Sequence, residues 1–345
     1  PHRRFSDFMS VSCVLPVLLE LGDSVLVAGL MVMVLLSAIA TCFAQNGTMA
    51  IANVMGSIYA NAVMVGQAVA GVLPSVALIA LILLVDRPAN SKSATDEVSN
   101  HLKNYGIFVY YLTALLICFS LMTLLYWTNY YKVESAYQVL SNSVEEAPLA
   151  VEDALGSDEV VQANYVPFSQ LWSKLKYIVS AIFLTFLVTL IFPVFALNVQ
   201  SVHSESDKRF FDKAIFIPFA FLVWNLGDLL GRVLCGYLPK FVIQSPRTQI
   251  IYAILRLAFV PLFLTCNFHP QITGPLINSD SWYILLQFLF GLLNGQLCTS
   301  CFMVVGNYCD DDDEKEAAGG FTAVFLSIGL AFGSVLSYLL VLIIT

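Results

Sequence analysis

Asn225, Asp228 and Arg232 stand inside IPFAFLVWNLGDLLGRVLCGYL, one of the most apolar stretches of a chain of 345 residues. A charge in a bilayer costs from about 2.5 to over 10 kcal/mol, depending on how water and headgroups reach it. An acid and a base are kept there only where they face a protein interior, a partner or an aqueous path. From 225 to 228 the spacing is i, i+3, and from 228 to 232 it is i, i+4, so all three share one helical face. That face points at something other than lipid.

Arg256, in YAILRLAFVPLFL, is a second deep charge. If successive spans are antiparallel, Arg232 and Arg256 lie at a similar level, about 10 Å from the cytoplasmic ends of their helices at about 1.5 Å per residue. Asp228 is one turn deeper, within reach of both. Two readings stand at this point: an ion pair that locks two helices while Arg256 snorkels to the interface, or a pair that lines or gates a solute path.

Elsewhere the apolar runs carry amides: Gln45, Asn46, Asn53, Asn61 and Gln67, then Asn294 and Gln296, with Thr299. An amide offers two donors and an acceptor, which suits a neutral ligand such as a sugar hydroxyl or a base edge. The same groups equally serve as hydrogen bonds between helices. No catalytic constellation emerges, because His2, His101, His203 and His269 fall in the terminus or in expected loops. Cys298 and Cys301 form a CxxC, but inside LLNGQLCTSCFMVVG they read as buried neighbours on a helix, with no metal or redox role. An enzyme is disfavoured, and no metal or other cofactor is called for.

The elements that must position these groups follow from composition. With 58% hydrophobic and 12% charged residues, the chain lies far outside the soluble range, where roughly a quarter of residues are charged. It is an all-α, polytopic membrane protein, without the basic footprint of nucleic-acid binding. Apolar runs long enough to cross about 30 Å of hydrocarbon occur about nine times, near 5–22, 25–49, 58–85, 105–127, 177–199, 214–238, 249–266, 282–306 and 318–344. Residues 1–128 read as an N-terminal helical bundle, 129–176 as an acidic, disordered cytoplasmic loop, and 177–345 as a C-terminal bundle. The Lys and Arg bias favours a cytoplasmic loop, with the N-terminus inside and the C-terminus outside. The sequon Asn46-Gly47-Thr48 is expected at a helix end on the cytoplasmic side, where glycosylation is disfavoured. The tract 310–316 reads as a solvated turn or a regulatory element. Gly66 to Gly71, Gly227 to Gly231 and Gly329 to Gly333 have spacings that allow close helix approach.

The runs FIPFAFLVWNLGDLLGR, LRLAFVPLFLTCN, WYILLQFLFGLLNG and EAAGGFTAVFLSIGLAFGSVLS occur in an order that resembles the C-terminal half of the equilibrative nucleoside transporter family. IFP at 191–193 and VGQAVAG at 65–71 are similar to further family motifs. The resemblance implies a two-bundle fold like that of the major facilitators, with eleven spans in a 6+5 arrangement. The chain then matches from the third span onward, lacking two helices that form part of the family's nucleoside pocket. It also implies that Asp228 and Arg232 engage the ribose hydroxyls, with Asn225 one turn earlier on the same face. Gln45 would hydrogen-bond the base, and Gly66 would serve packing. Thr41 stands where the family has a glycine one turn before that glutamine.

These readings lead to a facilitative carrier of nucleosides, with nucleobases as a further class, working by alternating access. Gln45, Asn225, Asp228 and Arg232 are the substrate-binding candidates, and Gly66, Arg256 and Asn294 the structural or gating ones. The deep carboxylate is expected to be ion-paired, which favours facilitated diffusion over proton coupling. The partners implied are a nucleoside and a lipid membrane, either the plasma membrane or that of a vacuole or lysosome. No obligate protein partner is inferred. The rivals are a non-transporting receptor or scaffold that works through its acidic loop, and a carrier of another small polar solute. An ion channel is disfavoured for want of rings of like charge.

Overall fold

The computed structural model describes residues 23–85, 166–203, 209–268 and 274–344, with a few more between 119 and 127, and every regular element among them is helical. The helices are α1 Asp23–Met55, α2 Ser57–Val85, α3 Phe168–Thr189, α4 Phe192–Asn198, α5 Lys213–Tyr237, α6 Pro246–Leu255, α7 Phe259–Leu264, α8 Asp280–Val304 and α9 Asp312–Ile344. All candidate site residues belong to one compact unit, made of Val32–Pro88 and Tyr165–Thr345. A second unit, Pro1–Met31 with Ala89–Asn164, is largely outside the described residues.

Seven described helical segments are long and apolar enough to cross a membrane: 27–55, 57–77, 168–198, 215–237, 246–264, 280–308 and 312–342. They answer to seven of the about nine expected runs. The run 5–22, most of 105–127 and the loop residues 129–165 fall outside the described residues. Several boundaries need correction. The sequence of 168–176 is helix, not loop, because Leu171 and Leu175 continue the buried stripe of Ile178 and Ile182 one turn at a time. The sequon lies inside α1, where Thr48 Oγ1 donates back to Ala44 O at 2.7 Å. The turn after α1 is made at Gly56, whose φ of +116° is a conformation open to glycine.

Two expected spans are broken, each by a proline. Pro193 has no N–H for the carbonyl of Thr189, and α3 stops at Thr189 before α4 resumes at Phe192. Pro261 does the same to Leu257, and residues Arg256–Ala258 tighten into a 3-10 turn between α6 and α7.

Small residues set the closest contact of the unit, between α5 and α8. A Cβ at Gly227 would meet Leu292 N at 3.0 Å, and one at Gly231 would meet Gln296 N at 2.8 Å. From the other side, Gly291 faces Asp228 N at 3.0 Å and Gly295 faces Arg232 N at 3.1 Å. Lipid tails are as apolar as leucine, so backbone approach of this kind, not hydrophobic burial, drives helices together in a membrane. Gly329 and Gly333 pack α9 onto Phe183 and Leu187 of α3 in the same way. Of the Gly66 and Gly71 pair, Gly71 makes the close approach: a Cβ there would meet Asn225 Oδ1 at 2.6 Å. A Cβ at Gly66 would meet nothing within 4 Å among the described residues.

At the start of α9 the acidic tract is not a freely solvated turn. Glu314 is 2% exposed and accepts both Lys174 Nζ, at 2.6 and 2.7 Å, and the Asp310 backbone N–H, at 2.7 Å. Gln170 Nε2 donates to the same carboxylate, and Lys174 also reaches Asp310 Oδ2 at 2.7 Å. The first two turns of α3 are thereby pinned to the start of α9.

Candidate functional site

The glycine seam places one turn of α5 against one turn of α8, and the site is built where they touch. Arg232 Nε donates to Asp228 Oδ2 at 2.8 Å, the i, i+4 pair that the spacing predicts. The other oxygen, Oδ1, accepts Asn294 Nδ2 from α8 at 2.7 Å. Arg232 Nη1 crosses to α2 and donates to the main-chain oxygen of Met64 at 2.9 Å. Asp228 and Arg232 are 3% and 7% exposed, so this is a desolvated ion pair whose stability depends on the further bonds around it. The Nη2 group of Arg232 is left without a partner among the described residues.

Asn225, one turn before Asp228, is half-buried and also bonds to α2. Its Nδ2 lies 3.1 Å from Ser75 Oγ and 2.8 Å from its own helix carbonyl at Phe221. Phe221 and Trp224 line the same part of α5. Phe192 stacks on Trp224 at 4.9 Å between ring centroids and meets Phe221 edge-on at 5.2 Å. The Trp224 ring N–H is buried without a partner among the described residues.

Arg256 does not snorkel. It is 1% exposed, with its guanidinium 4.8 Å over the Phe290 ring. It makes two long bonds, to Thr185 O at 3.4 Å and Thr189 Oγ1 at 3.5 Å. Thr189 Oγ1 in turn stands 2.7 Å from Asn294 Oδ1. One line of contacts thus runs from Arg256 through Thr189 and Asn294 to Asp228 and Arg232. Phe259 and Phe263 close the apolar side around Arg256, which the 3-10 turn before Pro261 carries into the protein.

Of the sequence candidates, Asn225, Asp228, Arg232 and Asn294 are gathered at the α2–α5–α8 contact, and Arg256 joins them through Thr189. Gln45 is not drawn in: it is half-buried on α1, and its amide makes no hydrogen bond among the described residues. Met64 and Thr189 join the site without a strong signal in the sequence. The one pointer to Thr189 is Pro193, four residues on, which breaks the helix there. Met64 contributes a main-chain oxygen, for which side-chain identity gives no signal. The pairing of Gly291 with Gly295 is visible as GLLNG and matches Gly227 with Gly231 across the seam.

Comparison with known proteins adds an independent line. Residues 30–342 match the family model described as Nucleoside transporter. Nucleoside transporter FUN26 of Saccharomyces cerevisiae is 40% identical over 346 residues, which cover 91% of this chain and 64% of that protein. Equilibrative nucleoside transporter 1 of Homo sapiens is 27% identical over 319 residues, 86% of this chain and 64% of that protein. Equilibrative nucleoside transporter 3 of Rattus norvegicus is 34% identical over 165 residues, 46% of this chain. The chain thus spans less than two thirds of the length of these relatives.

Proposed function

The chain belongs to the nucleoside transporter family, and from that premise we propose that it carries nucleosides across a membrane by facilitated diffusion, exposing one site alternately to either side. The observation that carries the reading is the desolvated Asp228–Arg232 pair with Asn294 on the second carboxylate oxygen. A carboxylate accepts and a guanidinium donates, so together they match two neighbouring ribose hydroxyls, each of which does both. The Nη2 of Arg232, which has no hydrogen-bond partner among the described residues, supplies a further donor for that purpose.

In this reading Phe221 and Trp224 flank the solute, and Asn225 borders it one turn from the pair. Gln45 is assigned the base through the family resemblance alone, and its uncommitted amide is compatible with that role. Residues 1–128 and 177–345 of the sequence would form the two moving bundles. Facilitated diffusion is supported by the ion pair of Asp228 with Arg232 and by the bond it accepts from Asn294.

The test is flux of radiolabelled uridine and adenosine into proteoliposomes of the full-length protein. Wild type is expected to equilibrate both down their gradients. Asp228→Ala and Arg232→Ala are expected to abolish flux at unchanged membrane expression. Binding without flux in wild type would make the protein a receptor and sink the proposal. Flux at the wild-type rate in either variant would remove the pair from the site.

A further inference from the structure

Arg256 is a fully buried cation with no carboxylate in ion-pair range among the described residues. Its two bonds to neutral oxygens are 3.4 and 3.5 Å long, and its Nε has no partner. Arg232, by contrast, holds Asp228 and Met64 at 2.8 and 2.9 Å. A desolvated guanidinium resting on a ring face and long bonds is poorly compensated. One acid therefore sits near two buried bases and serves only one of them.

The bridge between the acid and the second base has two settings. Thr189 Oγ1 lies 2.7 Å from Asn294 Oδ1 and also 2.7 Å from Thr185 O, and a hydroxyl has one proton to give. Donated to Asn294, it links Arg256's neighbourhood to the Asp228 carboxylate. Donated to Thr185, it turns back into its own helix and frees the Asn294 amide. Both ends of the bridge sit at helix breaks: α3 ends at Thr189, ahead of Pro193, and Arg256 opens the 3-10 turn ahead of Pro261. Interrupted helices of this kind give way at the break, since few backbone bonds need be exchanged there.

Resting on the nucleoside-transport reading, we propose that Arg256 is a reserve counter-ion for Asp228. When solute hydroxyls take up the hydrogen bonds of the Asp228–Arg232 pair, the carboxylate leans toward Arg256 through Asn294 and Thr189. Occupancy of the site is thereby passed to the breaks at 190–191 and 256–258. Arg256 is a positioning residue: it acts on the solute through Asp228, and only hydrogen bonds are exchanged.

The charge relation is tested without transport, by thermal unfolding of purified full-length protein in detergent. D228N takes the ion-pair partner from Arg232 and the acid that Asn294 and Thr189 link to Arg256, and is expected to melt several degrees below wild type. Adding R256M removes one of the two buried guanidinium groups and is expected to return about half of that loss or more. Strictly additive losses would overturn the proposal. The relay is tested by uridine exchange in proteoliposomes. R256M and T189V are each expected to lower the maximal rate about tenfold, the size of a typical coupling between sites. Affinity for uridine should stay within about threefold of wild type. The double variant should be no slower than the slower single one, because both cut the same chain. R256K, which keeps the buried charge, should retain more of the rate than R256M. A wild-type rate in R256M, or a fall confined to affinity, would overturn the proposal. Absence of flux in wild type would instead remove the transport reading, and the melting series would still decide whether Asp228 and Arg256 are coupled.

Discussion

Asn61 Nδ2 donates to the main-chain oxygen of Arg232 at 2.9 Å, so α2 grips the site helix at the residue that carries the guanidinium. One turn on, Gly236 leaves room for that amide: a Cβ there would stand 3.1 Å from Asn61 Cγ and press on its oxygen. Gly236→Ala should therefore turn the amide away and cost about 1 kcal/mol, the worth of one hydrogen bond. Asn61→Ala should cost a similar amount, and the double variant no more than either alone. Thermal unfolding of the four proteins checks this, and additive losses would show that the two residues act separately.

On the proposed nucleoside-carrier reading, Arg232→Lys should not preserve transport. The guanidinium sends Nε to Asp228 and Nη1 to Met64 O in two directions at once, and a single ammonium cannot hold both with the same geometry. A loss of about 1–3 kcal/mol in solute binding or turnover is expected, a reduction of about 5- to 150-fold in uridine uptake at equal expression. Uptake within about twofold of wild type would mean that only the charge matters.

What the sequence makes legible here is local. The Asp228–Arg232 pair follows from i, i+4 spacing within one helix, and the apolar runs fix seven of the spans to within several residues. The partners of that pair are not legible, because Asn294 and Met64 O arrive by helix packing from 66 and 168 positions away. Arg256 is half legible: its depth follows from counting, but its burial depends on the Phe259–Phe263–Phe290 cluster and on the turn that Pro261 imposes. The start of α3 is misread for a related reason. Lys174 and Lys176 make 168–176 look like loop, whereas Lys174 is neutralised by Glu314, 140 positions on.

Glycine substitutions should separate the seam from the open positions. At Gly295 a Cβ would fall 2.9 Å from the Asp228 carbonyl carbon and 3.1 Å from Arg232 N, both main chain, so neither neighbour can turn aside. Gly295→Ala must therefore push α8 off α5 and spread the Asn294–Asp228 bond. It is expected to cost about 1–3 kcal/mol, as overpacking does, and to depress uptake with it. Gly66→Ala meets open space and should be neutral or stabilising by up to about 1 kcal/mol through helix propensity. Melting temperatures of the two variants decide it, and equal losses would contradict the seam.

The ion cluster at the head of α9 makes an asymmetric prediction. Glu314 is sealed in while Lys174 keeps a quarter of its side chain exposed, so removing one partner is not equivalent to removing the other. Lys174→Ala strands a buried carboxylate, with only the Asp310 N–H and the Gln170 amide to hold it. Glu314→Ala strands only neutral donors, and Lys174 still has Asp310 at 2.7 Å. Breaking a buried pair from the side that leaves a charge behind is the costlier change. Lys174→Ala should therefore lower the melting temperature more than Glu314→Ala does, and Glu314→Gln in the Lys174→Ala background should recover part of the loss. If Glu314→Ala is the more damaging of the two, the cluster is held by hydrogen bonds to the carboxylate and not by charge balance.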